Sequence, residues 1–215
     1  MERETLKAKT KLILVTGGAR SGKSAFAEEY ALAAAPEGKV AYIATAQIWD
    51  EEMKFRVQRH RERRPENWQT FEAPTEELVM SALKAAGNNC EVILFDCLTL
   101  YLSNFLCSCT DSEMQDEKML YERVEKMSDK LLKAISEMKC ARAIVMVTNE
   151  VGTGIVPENH LARLYRDLSG LMNQQLASRA AAVYLTVCGQ AINLKRLNCT
   201  VEKAVEQDLL HLSYL

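Results

Sequence analysis

One octapeptide constrains the fold of this chain more than any other feature. Gly17-Gly18-Ala19-Arg20-Ser21-Gly22-Lys23-Ser24 fits the pattern GxxxxGK[ST], and it stands between an aliphatic run, Lys11–Thr16, and an Ala- and Glu-rich stretch, Ser24–Ala35. Glycines let backbone N–H groups curl around phosphate oxygens without Cβ clashes. A helix starting where the loop ends turns its positive end toward the same anion. Lys23 is then placed to reach the β- and γ-phosphates, and the Ser24 hydroxyl to ligate Mg²⁺. The octapeptide thus predicts a strand–loop–helix that holds a nucleoside triphosphate. The cradle alone does not name a reaction.

The rest of the chain repeats the same alternation. Val40–Thr45, Trp68–Glu72, Val92–Phe95, Ala143–Thr148 and Ala182–Val187 read as strands. Asp50–Arg64, Glu76–Ala86 (stopped by Gly87), Leu98–Leu106, Glu113–Met138 and Leu161–Ala181 read as helices. Short β-branched runs separated by amphipathic stretches predict a parallel sheet covered by helices. The expected fold is α/β, of the P-loop, RecA-like kind: a mostly parallel sheet flanked by helices, in a single domain over residues 11–195. Residues 1–10 form an N-terminal extension, and 196–215 a C-terminal tail expected to be helical. Cys107–Glu117 reads as an exposed, mobile connection. Arg163, Arg166 and Asp167 have the periodicity of a solvated or interface face.

Composition narrows the partners. A net charge of -2 argues against nucleic acid, which requires a basic surplus. No apolar run approaches the roughly 18 residues of a membrane span. The first ten residues, MERETLKAKT, lack the apolar core of a secretory signal, so a cytoplasmic location is expected. The seven cysteines are odd in number and contain no CxxC, which disfavours a zinc site or disulfide framework and predicts buried, reduced thiols.

Two further features bear on chemistry. Asp96 closes the run VILFD, and a carboxylate at the end of a neighbouring parallel strand is where a P-loop protein holds its metal or a metal-bound water. An ordinary strand-end Asp capping the next helix gives the same pattern. The helix DEEMKFRVQRHRERR has its acids first and its bases last, as the helix dipole favours. Trp49, Met53 and Val57 make an apolar stripe, and Arg56, His60 and Arg64 a second row with Arg63 beside it. His60 therefore stands at the border of a guanidinium-rich face, as a nucleophile toward phosphorus would. Spacing alone is equally met by a partly buried histidine beside solvated arginines.

GGARSGKS, YIATAQ (Tyr42–Gln47), DEEM…RVQRHRERRPENW (Asp50–Trp68), LFDCLT (Leu94–Thr99) and VTNEVGTGIVPENHLARLYRDLSGLMNQQLA (Val147–Ala177) follow one another in this order. Together they resemble the bifunctional adenosylcobinamide kinase / adenosylcobinamide-phosphate guanylyltransferase family, over about residues 12–195. The resemblance implies phosphorylation of the aminopropanol hydroxyl of adenosylcobinamide by ATP or GTP. It also implies transfer of GMP from GTP to that phosphate through a GMP–histidine intermediate, with release of pyrophosphate. The guanylylated histidine falls on His60, and Lys23 is implied in the kinase step. Nucleotide contacts fall on Gly17, Gly18, Ala19, Arg20, Ser21, Gly22, Lys23 and Ser24, on Ala44, Thr45 and Ala46, on Arg61, Glu62, Arg63 and Arg64, and on Glu72 and Asp96. Mg²⁺ is implied on Ser24 and Asp96, the latter directly or through water. Some relatives carry Ser at the place of Ala46 and Glu at that of Asp96. Adenosylcobinamide and its phosphate are the implied small-molecule partners, and a homotrimer the implied assembly. The loop Asn149–Asn159 is implied in the active-site region without an atom-level role.

Two other functions fit the octapeptide: a small-molecule kinase in which His60 is structural, and a nucleotide-controlled binding protein. The NKxD-like guanine box of common switch GTPases does not occur in the chain.

Overall fold

The fold is given by a computed structural model that describes residues 9–48, 50–62 and 64–201, without the side chains of Glu52, Arg56 and His60. Trp49, Arg63, the first eight residues of the extension and residues 202–215 of the tail lie outside the described residues.

Six parallel strands and one antiparallel strand form a single sheet in the order β3-β2-β4-β5-β1-β6-β7. They are β1 (Lys11–Gly17), β2 (Val40–Ala44), β3 (Gln69–Glu72), β4 (Val92–Asp96), β5 (Ala143–Val147), β6 (Ala182–Val187) and β7 (Gln190–Asn193). The central strands are buried on both faces, which is why they read as unbroken aliphatic runs. Alternate side chains feed two cores. Leu12, Leu14, Ile93, Phe95, Ile144 and Met146 face one, and Ile13, Val15, Val92, Leu94, Val145 and Val147 the other.

Helices cover the two faces unequally. The first core is closed by α3 (Glu76–Asn89), α4 (Leu98–Ser108), α6 (Glu117–Ser136) and α7 (His160–Arg179). The second is closed by α1 (Lys23–Ala34) through Ala27 and Ala31, with Trp68 alongside. Helix α2 (Glu51–Glu62) precedes edge strand β3, and Val57 is the buried residue among its described side chains.

Several expectations need correction. Gly87 does not stop its helix; it lies inside α3, where a Cβ would come within 2.5 Å of Met138 Cγ. Its carbonyl accepts from the amides of Lys139, Cys140 and Ala141, so the missing side chain admits the turn before β5. The helix expected over Glu113–Met138 is divided at Asp116 into α5 (Asp111–Gln115) and α6. Asp116 caps α6 by accepting from the Met119 amide at 2.9 Å. Thr110 and Glu113 form a capping box, so most of Cys107–Glu117 is helical rather than an irregular link. The hairpin strand β7 has no counterpart in the sequence expectation, and the short α8 (Leu194–Leu197) begins before the tail expected to be helical from residue 196. None of the seven cysteines is in a disulfide among the described residues, but Cys107, Cys140, Cys188 and Cys199 are exposed; Cys90 and Cys97 are the buried ones. Among the described residues no helix is long and apolar enough to cross a membrane.

Candidate active site

Strand register brings the sequence-predicted residues to one edge of the sheet. Ala44 pairs with both Glu72 and Asp96, Asp96 with Val147, and Gly17 with Thr186. These are the carboxyl ends of the parallel strands, where open α/β sheets bind ligands.

The phosphate loop is held from below and from the side. Gly17 has no room for a side chain: a Cβ would lie 2.5 Å from both Ser21 Oγ and Thr186 Oγ1. Thr186 donates its proton to the Thr16 carbonyl at 3.2 Å, so the 2.8 Å contact with Ser21 is donated by Ser21. The Gly189 amide at the β6–β7 turn donates to the Ser21 carbonyl at 2.9 Å. Left-handed conformations at Arg20 (φ 56) and Gly22 (φ 97) complete the curl that leads into α1. A Cβ on Gly22 would also press on Gly189, 3.0 Å from its Cα. Lys23 Nζ donates to the Gly18 carbonyl at 3.0 Å, folded back over its own loop. Burial lowers the Lys23 pKa, opposed by Cys97 and the Asp96 carboxylate. A triphosphate would supply further countercharge.

Asp96 is braced from β2. Tyr42, 1% exposed, donates its hydroxyl to Asp96 Oδ2 at 2.5 Å. Burial, and then the Asp96 charge, push the Tyr42 phenol well above its ordinary value. Thr45 is fully buried, and its hydroxyl accepts from the Cys97 amide and donates to the Cys97 carbonyl, both at 2.8 Å. Its amide donates to the Asp96 carbonyl at 3.0 Å. The side chain of Thr45 thus fixes the backbone that carries Asp96. Ala44 is buried and Ala46 half-buried beside it. The Cys97 thiol is pushed up to about 11, chiefly by burial, and is a packing group rather than a nucleophile.

The arginine-bearing end of α2 meets the same edge. Arg61 donates to Glu72 Oε1 at 2.8 Å, which joins two of the predicted contacts. Arg64 stacks its guanidinium 3.5 Å from the centroid of the Tyr42 ring. Its Nε and Nη1 are buried and have no hydrogen-bond partner among the described residues. Glu62 is exposed and accepts from Gln58. The backbone of His60 lies on α2 one turn before Arg64; its side chain and all of Arg63 lie outside the described residues.

The loop after β5 starts against the cradle. Its Glu150 amide donates to the Gly17 carbonyl at 3.1 Å, and Asn149 donates to Thr99 Oγ1 at 2.9 Å. Asn173 on α7 accepts from Thr148 and donates to the Asn149 carbonyl. Arg163, expected on a solvated or interface face, is half-buried and donates to the carbonyls of Pro157 and Glu158, so it braces the loop's far end. Sequence reasoning missed Tyr42, Thr186, Gly189 and Asn173. Each reads as strand core, turn or helix surface until the partner across the sheet is known.

Among the described residues no group of three or more His, Cys, Asp or Glu side chains could hold a metal by itself. The hydroxyl of Ser24 and the carboxylate of Asp96 are hard oxygen donors, and Asp96 lies near enough to Lys23 to oppose in part the lowering of its pKa by burial. That set suits Mg²⁺, which binds through one or two protein oxygens and completes its shell with phosphates and water.

Known proteins resemble the chain in shape and, more closely, in sequence. Among solved structures, the RadB recombinase has a TM-score of 0.44 at 15% identity, over 83% of this chain and 74% of that one. A KaiC-like protein from Pyrococcus horikoshii has a TM-score of 0.39 at 12% identity, over 81% and 70%. In sequence, the chain is 41% identical to the bifunctional adenosylcobalamin biosynthesis protein CobU of Escherichia coli K12, over 86% of this chain and 99% of the relative. It is 41% identical to CobU of Salmonella typhimurium, over 86% and 99%, and 40% identical to the bifunctional protein CobP of Pseudomonas aeruginosa, over 85% and 96%. A family model described as cobinamide kinase / cobinamide phosphate guanyltransferase matches residues 13–194, and with relatives this similar along nearly their whole length, the chain belongs to that family.

Proposed function

We propose that this chain phosphorylates the aminopropanol hydroxyl of adenosylcobinamide with ATP or GTP, and then transfers GMP from GTP to the new phosphate. The observation that carries the reading is the meeting of two devices at one sheet edge. The phosphate loop lies on one side, and Arg64 sits on Tyr42, which in turn holds Asp96, on the other.

In the kinase step the substrate hydroxyl attacks the γ-phosphorus and the bond to the β-phosphate oxygen breaks, with Lys23 offsetting charge on the transferred group. In the second reaction a ring nitrogen of His60 attacks the α-phosphorus of GTP and pyrophosphate leaves. An oxygen of adenosylcobinamide phosphate then attacks that phosphorus, the P–N bond breaks and the imidazole is restored. Splitting one difficult displacement into two is the advantage of such an intermediate. Arg61, Arg63 and Arg64 stabilise the α-phosphate oxygens during both displacements and the leaving pyrophosphate during the first. Mg²⁺, held by Ser24 and by Asp96 directly or through water, would neutralise phosphate charge when bound. The remaining cradle residues bind the triphosphate, and Ala44, Thr45 and Ala46 contact the nucleotide from the end of β2, which β4 and β5 separate from β1. We place these activities in residues 11–195 and in a homotrimer, which light scattering coupled to gel filtration tests directly.

The deciding experiment uses GTP labelled at the α-phosphate. The protein is expected to acquire acid-labile, alkali-stable label that is absent from His60→Ala. Transfer should fall by at least about 10³-fold in the variant, as for loss of a nucleophile. Unlabelled wild-type protein, or label retained in His60→Ala, overturns the intermediate.

A further inference from the structure

We propose that Tyr42 is a positioning residue of this site: its hydroxyl aims the Asp96 carboxylate and its ring seats the Arg64 guanidinium. One buried side chain would then align the metal-side acid with the phosphate-side cation. The inference rests on reading this edge as a triphosphate site.

Three observations support it. First, the 2.5 Å O–H···O contact to Asp96 is a charge-assisted hydrogen bond, which restricts where the carboxylate can turn. Second, Arg64 lies face-on to the ring at 3.5 Å, a geometry that uses the face of the guanidinium and leaves its edge for other partners. Two of its donor nitrogens, Nε and Nη1 on different edges of the group, are buried and unpartnered among the described residues. Charged N–H donors left without a protein partner suit phosphate oxygens. Third, Tyr42 has little freedom of its own. It is buried in β2, flanked by Trp68 with ring centroids 6.4 Å apart, and its strand neighbours are Thr70 and Leu94. A leucine or isoleucine would fill such a strand position equally well for packing, but neither has a hydroxyl for Asp96 nor a π-face for Arg64.

The two halves of the role separate by substitution. GTP binding is measured by calorimetry with Mg²⁺ and again with a chelator. Tyr42→Phe keeps the platform and loses the hydroxyl. It should reduce the Mg²⁺-dependent gain in GTP affinity by about tenfold, the size of one charge-assisted hydrogen bond, and leave metal-free binding within about twofold. Tyr42→Leu removes the platform as well. It should lower metal-free GTP affinity about as much as Arg64→Ala, and the double variant should be no worse than either single one. If Tyr42→Leu does not fold, as judged by thermal unfolding, Arg64→Lys replaces it, since an ammonium keeps the charge but not the stacked fork. It should lose metal-free affinity nearly as far as Arg64→Ala. Unchanged Mg²⁺ dependence in Tyr42→Phe overturns the role, as do additive losses in the double variant or full binding by Arg64→Lys. Wild-type protein that binds no GTP overturns the triphosphate reading and the role together. Wild-type binding without the variant pattern overturns the role of Tyr42 alone.

Discussion

The two devices that meet at the site are built in opposite ways. The phosphate loop is over-determined: backbone and hydroxyl groups of Thr16, Thr186 and Gly189 all fix the turn around Ser21, and Gly17 has no space to become anything larger. Among the described residues, helix α2 is held by few contacts. Its buried anchor among the described side chains is Val57, Arg61 pairs with Glu72 at the surface, and the chain just beyond it leans on Tyr42 through Arg64. The difference follows from what each must do. A cradle of N–H groups acts only if prearranged, because reorganising it would consume the stabilisation it offers. In the proposed reaction α2 would carry a nucleophile through two successive displacements on one phosphorus, and attachment through a few side chains would let it adjust without disturbing the core.

Substitutions can break that contrast or sharpen it. The largest effect is expected from Lys23→Ala, which should lower kinase turnover about 10²–10³-fold and guanylyl transfer as well, because both reactions need the triphosphate held. Steady-state assays of each half-reaction check this, the second with pre-phosphorylated substrate; undiminished guanylyl transfer would separate the two devices altogether. Next come Gly17→Ala and Val57→Ala, measured together by denaturant unfolding and by both activities. The first forces a methyl into backbone and hydroxyls and should cost about 1–3 kcal/mol while weakening both reactions. The second trims a side chain at the edge of the core, should cost about 1 kcal/mol, and should lower guanylyl transfer more than phosphorylation. Equal losses of the two activities in Val57→Ala would refute the separate arm. The smallest effect belongs to Glu72→Gln. Its ion pair with Arg61 is exposed, with side chains 43% and 54% accessible, so stability should move by less than about 0.5 kcal/mol. GTP affinity reports separately whether Glu72 meets the nucleotide.

The elements most legible in the sequence were those whose cause is local. The octapeptide fixes the cradle, and doubly buried strands announce themselves as aliphatic runs. Thr110-Asp111-Ser112-Glu113 carries a capping-box signature at the start of α5, a local cue that the expectation of an exposed connection over Cys107–Glu117 passed over. What stayed hidden depends on residues far apart in the chain. Gly87 has the composition of a helix stop and becomes a packing residue only because Met138 lies against it. Tyr42 reads as one more apolar strand residue until Asp96 and Arg64 are brought to it. Thr45 was picked out by resemblance, yet its hydroxyl is taken up by the backbone of Cys97. The exposed cysteines misled for a related reason: an apolar neighbourhood in sequence does not decide which face of a helix or turn a thiol occupies.

The clasp between Ser21 and Thr186 spans 165 residues. It has a consequence for the order in which the protein is made. A nascent chain emerging from the ribosome carries its entire GGARSGKS motif long before the hairpin that braces it has been synthesised. A product truncated ahead of Thr186 would keep the signature by which such proteins are found and lack the groups that give it shape. Nucleotide retention by a translated fragment would therefore report completion of the domain's far end, rather than presence of the motif near its start.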